Sequence, residues 1–345
     1  MRVGREELLR VLESASMGLA SREILEQSTC LVFTQDGRVV SFNDEVSASR
    51  QSPLNGVAGA VKAKPLLELL SKLSEDELDV DQVGGELQVK GKRRKAGIRM
   101  EAEVMLPIET VDVPEVWRDL PTTFGEAVSI VHSCASAEES QFVLTCVHIH
   151  PEWMEACDKF QIARYPMETG VQESVLVRAS SLKKILGLDM TEVSETGSWI
   201  HFRNPAGLVV SCRRYLDEYS QLDKFLSKEG TTPFSLPGGL EEALEKAQIF
   251  SAENISGNRV LVDMRSDRIV FEGQGSSGWY KEMKKITYTG EPLSFLIAPK
   301  LLLEVSKKSN ECAVAAGRLF IDSGKFRYVT CTVLPEDSAP SVEDD

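Results

Sequence analysis

Residues 61–70 have the sequence VKAKPLLELL, and this stretch decides the fold because the chain contains it three times. The counterparts are VRASSLKKIL at residues 177–186 and IAPKLLLEV at residues 297–305. In each copy the apolar residues have the spacing of an amphipathic helix. Alignment on Ala63, Ala179 and Ala298 gives intervals of 116 and 119 residues. Such a period indicates a chain built from repeated units.

A second predicted helix has nearly the same period. It is contained in EELLRVLESA, TFGEAVSIVHSCA and GLEEALEKAQIF, which lie near residues 8, 124 and 240. Leu8, Phe124 and Leu240 follow one another at intervals of 116 residues, and the next apolar position of each helix repeats that interval. Two independent segments therefore indicate three repeats.

The rest of each repeat is predicted to be strands. Segments such as CLVFTQDGRVVSFNDEVSAS (residues 30–49) and AGRLFIDSGKFRYVTCTVL (residues 316–334) alternate between apolar and polar residues. This alternation is typical of half-buried strands joined by turns. The sequence therefore predicts an α+β fold of three repeated domains, each with two helices and antiparallel sheets.

The domain boundaries are predicted from linker composition. VDVPEVWRDLPTT (residues 111–123) and YLDEYSQLDKFLSKEGTTP (residues 215–233) lie between repeats and carry Pro, Gly and charge. We therefore expect domains at residues 1–118, 119–231 and 232–335. Residues 336–345 include five acidic residues and no basic residue, so we expect a disordered acidic tail there.

Composition limits the class of protein. The chain has 345 residues, a net charge of -14 and seven scattered cysteines without a CxxC pair. No apolar stretch approaches the ~20 residues that a membrane span needs, and the N-terminus lacks the apolar core of a secretory signal. We expect a cytoplasmic protein without a membrane partner. Net charge concerns the total and not its distribution, so a basic DNA-binding face remains compatible with it.

These repeats and linkers carry a family resemblance. The chain resembles the β sliding clamp of bacterial DNA polymerase III over nearly its whole length, to about residue 334. The resemblance lies in the two repeated helices, in VDVPEVW, in CDKFQIARYPM (residues 157–167) and in KKITYTGEPLSFLIAPKLLLEV (residues 284–305). Two departures suggest a divergent member, of the kind that a phage could encode. Only Asp158 of the family's TDGHR loop is kept, and the acidic tail is an addition.

The resemblance implies a function in DNA replication. Two chains would form a ring-shaped homodimer that encircles double-stranded DNA without sequence preference. The ring would act as a processivity factor that tethers DNA polymerase and is loaded by a clamp loader, both bound through short peptide motifs. The protein would be non-catalytic, without a cofactor or metal. Predicted DNA-binding residues are the cations of the helices and the loop after the first helix: Arg22, Lys64, Lys72, Lys183, Lys184, Lys300, Lys307 and Lys308.

The resemblance also implies a pocket for partner peptides where the second and third repeats meet. Carried over position by position, its predicted lining is Val143, Phe160, Gln161, Ile162, Leu222, Ala298, Leu301, Cys331, Thr332 and Val333. Each apolar member could equally be ordinary core. A further hypothesis is that the acidic tail competes with partner peptides, because it follows directly on a strand that would line the pocket.

Four other patterns could indicate function. Gly273, Gly275 and Gly278 spell GxGxxG, but the following WYKEMKKITYTG predicts a strand, so we expect a hairpin and not a dinucleotide loop. His148 and His150 lack the further ligands of a metal site. Cys157 has no histidine at a motif-defined position beside it. KGKRRK (residues 90–95) is the densest basic run and predicts a hairpin tip, so it is a secondary DNA candidate.

Two functions of different classes remain open after these observations. One is the DNA-encircling clamp. The other is a scaffold or interaction protein that has the clamp fold but does not encircle DNA.

Overall fold

The structure is a computed structural model that describes residues 1–251, 258–315 and 317–335. The predicted acidic tail, residues 336–345, lies outside the described residues. The chain is an α+β protein in which the paired strands are antiparallel, which confirms the predicted fold class. No described helix is long and apolar enough to cross a membrane.

The three predicted repeats have the same order of elements in the described part of the chain. Each contains one strand, a helix, four strands, a second helix and three strands. The first repeat consists of β1 (Arg2–Gly4), α1 (Arg5–Ala15), β2 (Cys30–Phe33), β3 (Arg38–Phe42), β4 (Val46–Gln51), β5 (Gly59–Lys62), α2 (Ala63–Lys72), β6 (Glu77–Val83), β7 (Glu86–Lys90) and β8 (Lys95–Glu101).

The second repeat follows the same order with shorter helices. It consists of β9 (Arg118–Asp119), α3 (Phe124–Val131), β10 (Cys146–His150), β11 (Trp153–Cys157), β12 (Gln161–Pro166), β13 (Val175–Arg178), α4 (Ala179–Leu182), β14 (Glu192–Glu195), β15 (Trp199–Arg203) and β16 (Val209–Tyr215). A 3-10 turn at Lys183–Ile185 extends α4, and a short helix, α5 (Asp223–Leu226), lies in the linker that follows.

The third repeat completes the chain. It consists of β17 (Thr232–Ser235), α6 (Leu240–Ser251), β18 (Val260–Met264), β19 (Arg268–Gly275), β20 (Gly278–Lys285), β21 (Leu293–Ile297), α7 (Pro299–Lys308), β22 (Glu311–Ala315), β23 (Arg318–Asp322) and β24 (Arg327–Cys331). The three-domain boundaries stay a prediction, since the compact units of the chain follow a different division.

The helix starts correct the alignment of the third repeat by one residue. The residues that precede α2, α4 and α7 are Lys62, Arg178 and Ala298, 116 and 120 residues apart. Pro299 occupies the first position of α7, where its missing N–H costs nothing. Leu302, and not Leu301, is therefore the buried counterpart of Leu66. The sequence alignment on Ala298 was wrong because three consecutive leucines at residues 301–303 allow either register.

Apolar stripes pair the helices within each repeat. α1 packs against α2, α6 packs against α7, and α3 packs against the 3-10 turn at Lys183–Ile185. In the first pair Leu8, Leu12, Leu66 and Leu70 are buried in one cluster. Charged residues occupy the other faces of α1, α2, α6 and α7, so these four helices have the amphipathic form that the sequence predicted.

The first compact unit comprises residues 1–132, 146–152 and 168–217. Its strands pair in the order β1, β6, β7, β8, β5, β2, β3, β4, β16, β15, β14 and β9, and β13 joins β10 to β16. The pairing of β4 with β16 joins the first repeat to the second, with Ser47 opposite Ser211. We call this pairing the first joint.

The second compact unit comprises residues 133–145 and 153–167 together with the described residues from 218 onward. One sheet pairs β11, β12, β24, β23, β22 and β17, and a second pairs β20, β19, β18 and β21. The pairing of β12 with β24 joins the second repeat to the third, with Ile162 opposite Val329. We call this pairing the second joint.

Glycine allows close packing at one helix. A Cβ atom at Gly273 of β19 would lie 1.9 Å from the carbonyl oxygen of Ala247 in α6. Such a distance is far below van der Waals contact, so only glycine lets this helix lie directly on the strand. Gly273 belongs to the GxGxxG pattern, and its role is therefore helix packing.

Candidate functional site

A row of apolar side chains crosses the sheet at the second joint. Strand register places these residues side by side on one face: Cys157, Ile162, Val329, Phe320 and Ala313. Tyr219, Leu222 and Leu226, from the linker before β17, cover this row and form one hydrophobic cluster with it. The linker is held in place because its apolar residues bury the sheet face.

The next row of the same face is left open. It contains Phe160, Cys331 and Arg318, since the Cys331 amide donates to the Phe160 carbonyl at 2.7 Å and Arg318 lies opposite Cys331. Between this row and the linker lies a groove of about 240 Å³, which we call the Phe160 groove. Its lining residues are Cys157, Asp158, Lys159, Phe160, Gln161, Ile162, Ser220, Leu222, Phe225, Arg318, Val329 and Cys331.

Two aromatic side chains stand at the groove in contact with water. Phe160 is 52% exposed and Phe225 is 54% exposed, while Leu222 and Val329 below them are buried. Large apolar groups that line a concave surface are typical of sites that bind another molecule. The groove is therefore the candidate site for an apolar ligand segment.

A turn fixes the position of Phe160. Both the Phe160 and the Gln161 backbone amides donate to Oδ1 of Asp158, at 2.6 and 2.8 Å. This is the Asx-turn arrangement for which aspartate is well suited. The side chain of Gln161 also accepts a hydrogen bond from the Tyr328 hydroxyl at 2.6 Å. Asp158 thus fixes the turn that places Phe160 at the groove.

Half of the predicted pocket residues meet in this groove, namely Phe160, Gln161, Ile162, Leu222 and Cys331. The other half do not line it. Ala298 precedes α7, Leu301 is half-buried on that helix, and Val143 is half-buried in a 3-10 segment. Thr332 is buried with its amide bonded to the Gly317 carbonyl at 2.9 Å, and Val333 pairs with Leu296.

Several groove residues were absent from the sequence prediction. They are Cys157, Asp158, Lys159, Ser220, Phe225, Arg318 and Val329. Phe225 carried a usable signal, because it lies one turn of helix after the predicted Leu222 in the same linker. Arg318 carried none, since only strand register places it opposite Cys331.

Burial makes Cys157 unsuited to nucleophilic chemistry. Its backbone amide donates to the Tyr219 hydroxyl at 3.0 Å, and that hydroxyl donates to the Cys157 sulfur at 3.3 Å. Desolvation raises the pKa of the Cys157 thiol above its usual range, so the reactive thiolate is disfavoured.

The first joint has no groove at the position that corresponds to the Phe160 groove of the second joint. There the Arg213 amide donates to the Glu45 carbonyl at 2.9 Å, as Cys331 donates to Phe160. Trp199 pairs with Arg213 as Arg318 pairs with Cys331. The Trp199 ring is fully buried, and its Nε1 donates to the Thr110 carbonyl at 3.0 Å. A tryptophan thus occupies the space that corresponds to the groove.

The predicted DNA-binding residues fall into two groups. Five are exposed and have no ion-pair partner in the described part of the chain, namely Arg22, Lys64, Lys72, Lys183 and Lys300. The corrected helix register places Lys64 and Lys300 at equivalent positions, two residues after Lys62 and Ala298.

The other three predicted cations are engaged within the chain. The Lys184 ammonium donates to the Met17 carbonyl at 2.6 Å, and burial lowers its pKa. Lys307 pairs with Glu304 at 3.3 Å. The Lys308 ammonium lies 5.4 Å from the centre of the Tyr328 ring. Lys184 is the least available for phosphate, because it is half-buried and already hydrogen-bonded.

The partner helices carry more acidic residues than basic ones. Glu6, Glu7 and Glu13 are exposed on α1, and α6 begins with Glu241 and Glu242. Each helix pair therefore has a mixed surface in which cations lie mainly on α2, α7 and the 3-10 turn after α4.

The remaining sequence patterns have structural positions. Gly275 and Gly278 face each other in the hairpin of β19 and β20, which confirms the predicted hairpin. His148 and His150 lie on β10, and no group of three or more potential metal ligands occurs in residues 1–251, 258–315 and 317–335. In KGKRRK, Lys90 ends β7, Lys95 begins β8 and the Gly91 amide bonds to the Arg94 carbonyl, so this run is a hairpin turn.

Solved structures of DNA polymerase III β subunits have the same fold. The Streptococcus pneumoniae structure has a TM-score of 0.85 and 16% identity, and the match covers 96% of this chain and 98% of that chain. The Pseudomonas aeruginosa structure has a TM-score of 0.83 and 14% identity, with coverage of 96% and 99%. The Thermotoga maritima structure has a TM-score of 0.83 and 16% identity, with coverage of 96% and 98%.

These likenesses establish the fold of the chain as that of the β subunits, over nearly its full length. The predicted fold is thereby confirmed. No protein-family model and no curated protein sequence matches the chain.

Proposed function

We propose that this protein is a DNA sliding clamp. Two copies close head to tail into a ring of six repeats around duplex DNA, and the ring holds a replicative polymerase on its template as a processivity factor. The fold supports this proposal, and the arrangement of strands at the two joints supports it most specifically. That arrangement is the way each joint uses equivalent strands of successive repeats.

Both joints pair the same two strand positions of successive repeats, and a single chain contains only two such joints. β4 of the first repeat pairs with β16 of the second, and β12 of the second pairs with β24 of the third. By position in the repeat, β4 and β12 correspond to β20, and β16 and β24 correspond to β8. In the described part of the chain β20 pairs with β19 alone, and residues 95–99 of β8 pair with β7 alone. Pairing β20 with β8 of a second copy would form a third joint of the same kind.

The side chains of β20 support such an interface. Trp279 is 68% exposed and Met283 is 59% exposed on the same face of the strand. An open edge strand with exposed apolar residues is prone to pair with another chain. Closure of the ring would cover both edges of each chain.

The joints also predict the register of ring closure. Lys281 pairs with Glu272 as Ser49 pairs with Val40, so Trp279 corresponds to Ser47 and Ser277 corresponds to Glu45. Arg99 pairs with Glu86 as Arg213 pairs with Trp199. Since Arg213 donates its amide to the Glu45 carbonyl, we expect Arg99 of the partner subunit to donate to the Ser277 carbonyl. Since Ser47 lies opposite Ser211, we expect Trp279 to lie opposite Gly97 of the partner subunit. The Trp279 ring and the guanidinium of Arg99 of the partner subunit would then be diagonal cross-strand neighbours, which is within reach of an aromatic and a long side chain.

DNA contact in this proposal is electrostatic and independent of sequence. The exposed cations Arg22, Lys64, Lys72, Lys183 and Lys300 would face phosphates in the hole. The neighbouring glutamates on α1 and α6 keep the attraction modest, which suits a ring that slides. Retention would come from topology, with no catalytic step and no cofactor.

Partner proteins would bind at the Phe160 groove. The exposed aromatic rim and buried apolar floor are suited to a short peptide with apolar side chains. A polymerase and a clamp loader could each present such a peptide. The protein would act in the cytoplasm, where the DNA is replicated.

The test is retention on circular DNA. Light scattering across a concentration series should give a mass near twice 38.1 kDa. Protein loaded onto nicked circles should stay bound through gel filtration and should leave when a restriction enzyme linearises the circle. A stable monomer at high concentration, or equal loss from circles and linear DNA, contradicts the proposal.

A scaffold that does not encircle DNA is the second candidate. It is favoured by the acidic surface of α1 and α6 and by the net charge of -14. A scaffold would bind peptides at the groove but would show no difference between circular and linear DNA. The same retention experiment therefore separates the two candidates.

A further inference from the structure

We propose that residues 336–345, the acidic segment that follows Pro335, dock on the outward face of the β18–β21 sheet of the same chain. This surface, which we call the third-repeat face, is marked by Leu261, Leu296, Trp279, Lys281, Met283 and Lys285. The inference concerns a contact of the chain with its own acidic segment. It therefore goes beyond the proposed function and does not require that the protein encircle DNA.

In the first two repeats, the segment that follows the last strand covers the sheet of its own repeat. After β8, Leu106 is buried in one cluster with Val32 of β2 and Ala60 of β5. After β16, Leu222 is buried in one cluster with Cys157 of β11. Both linkers thereby remove apolar side chains of the sheet from water.

The third repeat places its last segment at the equivalent starting point. Val333 forms a β-bridge with Leu296 of β21, and Glu101 at the end of β8 pairs with Ala60 of β5. Leu296 and Ala60 hold equivalent positions, because each lies three residues before the second helix of its repeat. The residues after Val333 therefore correspond to the first linker. An extended segment of residues 336–345 reaches up to ~33 Å, and four strands span only about 15 Å, so it is long enough to cross the sheet.

The third-repeat face offers apolar side chains to such a segment. Strand register places Leu296, Leu261 and Lys281 in one row across the sheet, and both leucines are half-buried. On the same face of β20, Trp279 is 68% exposed and Met283 is 59% exposed. Exposed apolar residues at a place that a linker covers in the other repeats indicate a surface with an occupant.

The charges of this face favour an acidic occupant. Lys281 pairs with Glu272 at 2.8 Å, whereas Lys285 is exposed and forms no ion pair within the described residues. The turn between β18 and β19 adds two pairs, Arg265 with Asp263 and Arg268 with Asp267. Each of these three carboxylates thus already has a cation, and one lysine is left over. Residues 336–345 bring five carboxylates and no cation, so their docking would compensate that lysine.

The segment and the face also match in the order of their residues. Residues 339–342 include three apolar residues, and acidic residues lie on both sides of them. On β20 the two exposed apolar residues alternate with Lys281 and Lys285. Docking would shield the apolar residues of an open edge strand, which otherwise promote non-specific strand pairing.

Zero-length cross-linking of the full chain with a carbodiimide tests the contact directly. The reagent joins a carboxylate to an amine only where the two are in ion-pair contact, and mass spectrometry identifies the linked residues. We expect acids of residues 336–345 to link to Lys285 or Lys281, and the links should disappear in about 1 M salt because exposed pairs are screened. The pair of Lys281 and Glu272 is the positive control at low salt.

Methionine oxidation measures how far the segment covers the face. The oxidation rate follows exposure, so a segment that covers half of the exposed Met283 side chain halves its rate, and a chain that ends at Pro335 should be oxidised about twofold faster there. Met105, which is 51% exposed in the first compact unit, is the matched control and should keep its rate. Lys281→Glu combined with Lys285→Glu should raise Met283 oxidation in the full chain to that of the shortened chain.

Several results would overturn the inference. They are the absence of links from residues 336–345 to either lysine, equal Met283 oxidation in the full and shortened chains, and links to Lys159 of the Phe160 groove instead. Mixing isotope-labelled with unlabelled chains identifies links between two copies, which would overturn docking within one chain. Light scattering selects samples of equal mass for the oxidation assay, so a failure of docking is distinguishable from a failure of the ring.

Discussion

Replacement of Trp279 by alanine should weaken the dimer without unfolding the chain. The Trp279 side chain is 68% exposed, so its removal costs little in the isolated subunit. Aromatic side chains offer ~150–250 Å², and ring closure that covers about 70 Å² of this ring at ~25 cal/mol per Å² contributes about 2 kcal/mol. The contact with Arg99 of the partner subunit would add about 0.5–1 kcal/mol.

The ring contains two identical interfaces, so each contribution is lost twice, and the dimer dissociation constant is predicted to rise by about 10³- to 10⁴-fold in Trp279→Ala. Analytical ultracentrifugation across a dilution series measures the constant directly. Thermal unfolding of the dilute monomer should remain within a degree or two of the parent, since an exposed surface substitution has little effect on stability.

A matched control and a double variant sharpen this test. Ile249→Ala removes an apolar side chain of 66% exposure from α6, which is not one of the strands expected to pair, and should leave dimerisation unchanged. Combining Trp279→Ala with Arg99→Ala should give a loss smaller than the sum of the single losses, because both variants remove the same interaction. A dissociation constant within threefold of the parent in Trp279→Ala would refute the predicted register.

Three further predictions follow from particular residues. Substituting glutamine for the five exposed cations should weaken binding to linear duplex DNA, with little change in retention on closed circles. The slope of log binding constant against log salt concentration should fall by up to ~0.9 for each phosphate that is no longer neutralised. Anisotropy at several salt concentrations measures this slope, and an unchanged slope would remove these residues from the DNA interface. Those residues are Arg22, Lys64, Lys72, Lys183 and Lys300. His201 is fully buried between Thr196 and Ser211, and desolvation lowers its pKa from 6.5 to about 4 although Asp112 acts in the opposite direction. Because the unfolded state takes up the proton first, the free energy of unfolding should fall by up to about 3 kcal/mol as the pH falls from 6.5 to 4 and should then level off. Urea titrations of the parent and of His201→Gln measure this pH dependence, and an equal pH dependence in both proteins would contradict the prediction. Gly273→Ala should lower the free energy of unfolding by about 3 kcal/mol, because its Cβ would meet the Ala247 carbonyl. Gly125→Ala should not lower it, because a Cβ at Gly125 has open space. Denaturant midpoints compare the two variants, and equal midpoints would exclude the proposed close packing.

The sequence by itself determined the repeats and the class of fold. Helix positions follow from the spacing of Leu8, Leu12, Leu66 and Leu70, since an amphipathic period of 3.6 residues requires one buried face. The turn at KGKRRK and the hairpin at Gly275 and Gly278 followed from local turn chemistry. These are short-range properties, and they depend little on the rest of the chain.

Register in the third repeat and the composition of the groove were decided only by the tertiary structure. Three successive leucines leave the period ambiguous by one residue, and helix packing selects Leu302. Arg318 reaches the groove because β23 pairs with β24 and places it opposite Cys331, and Trp199 closes the corresponding place at the first joint. Side chains distant in sequence meet only through strand pairing, and a slip of one residue would reverse the face on which each lies.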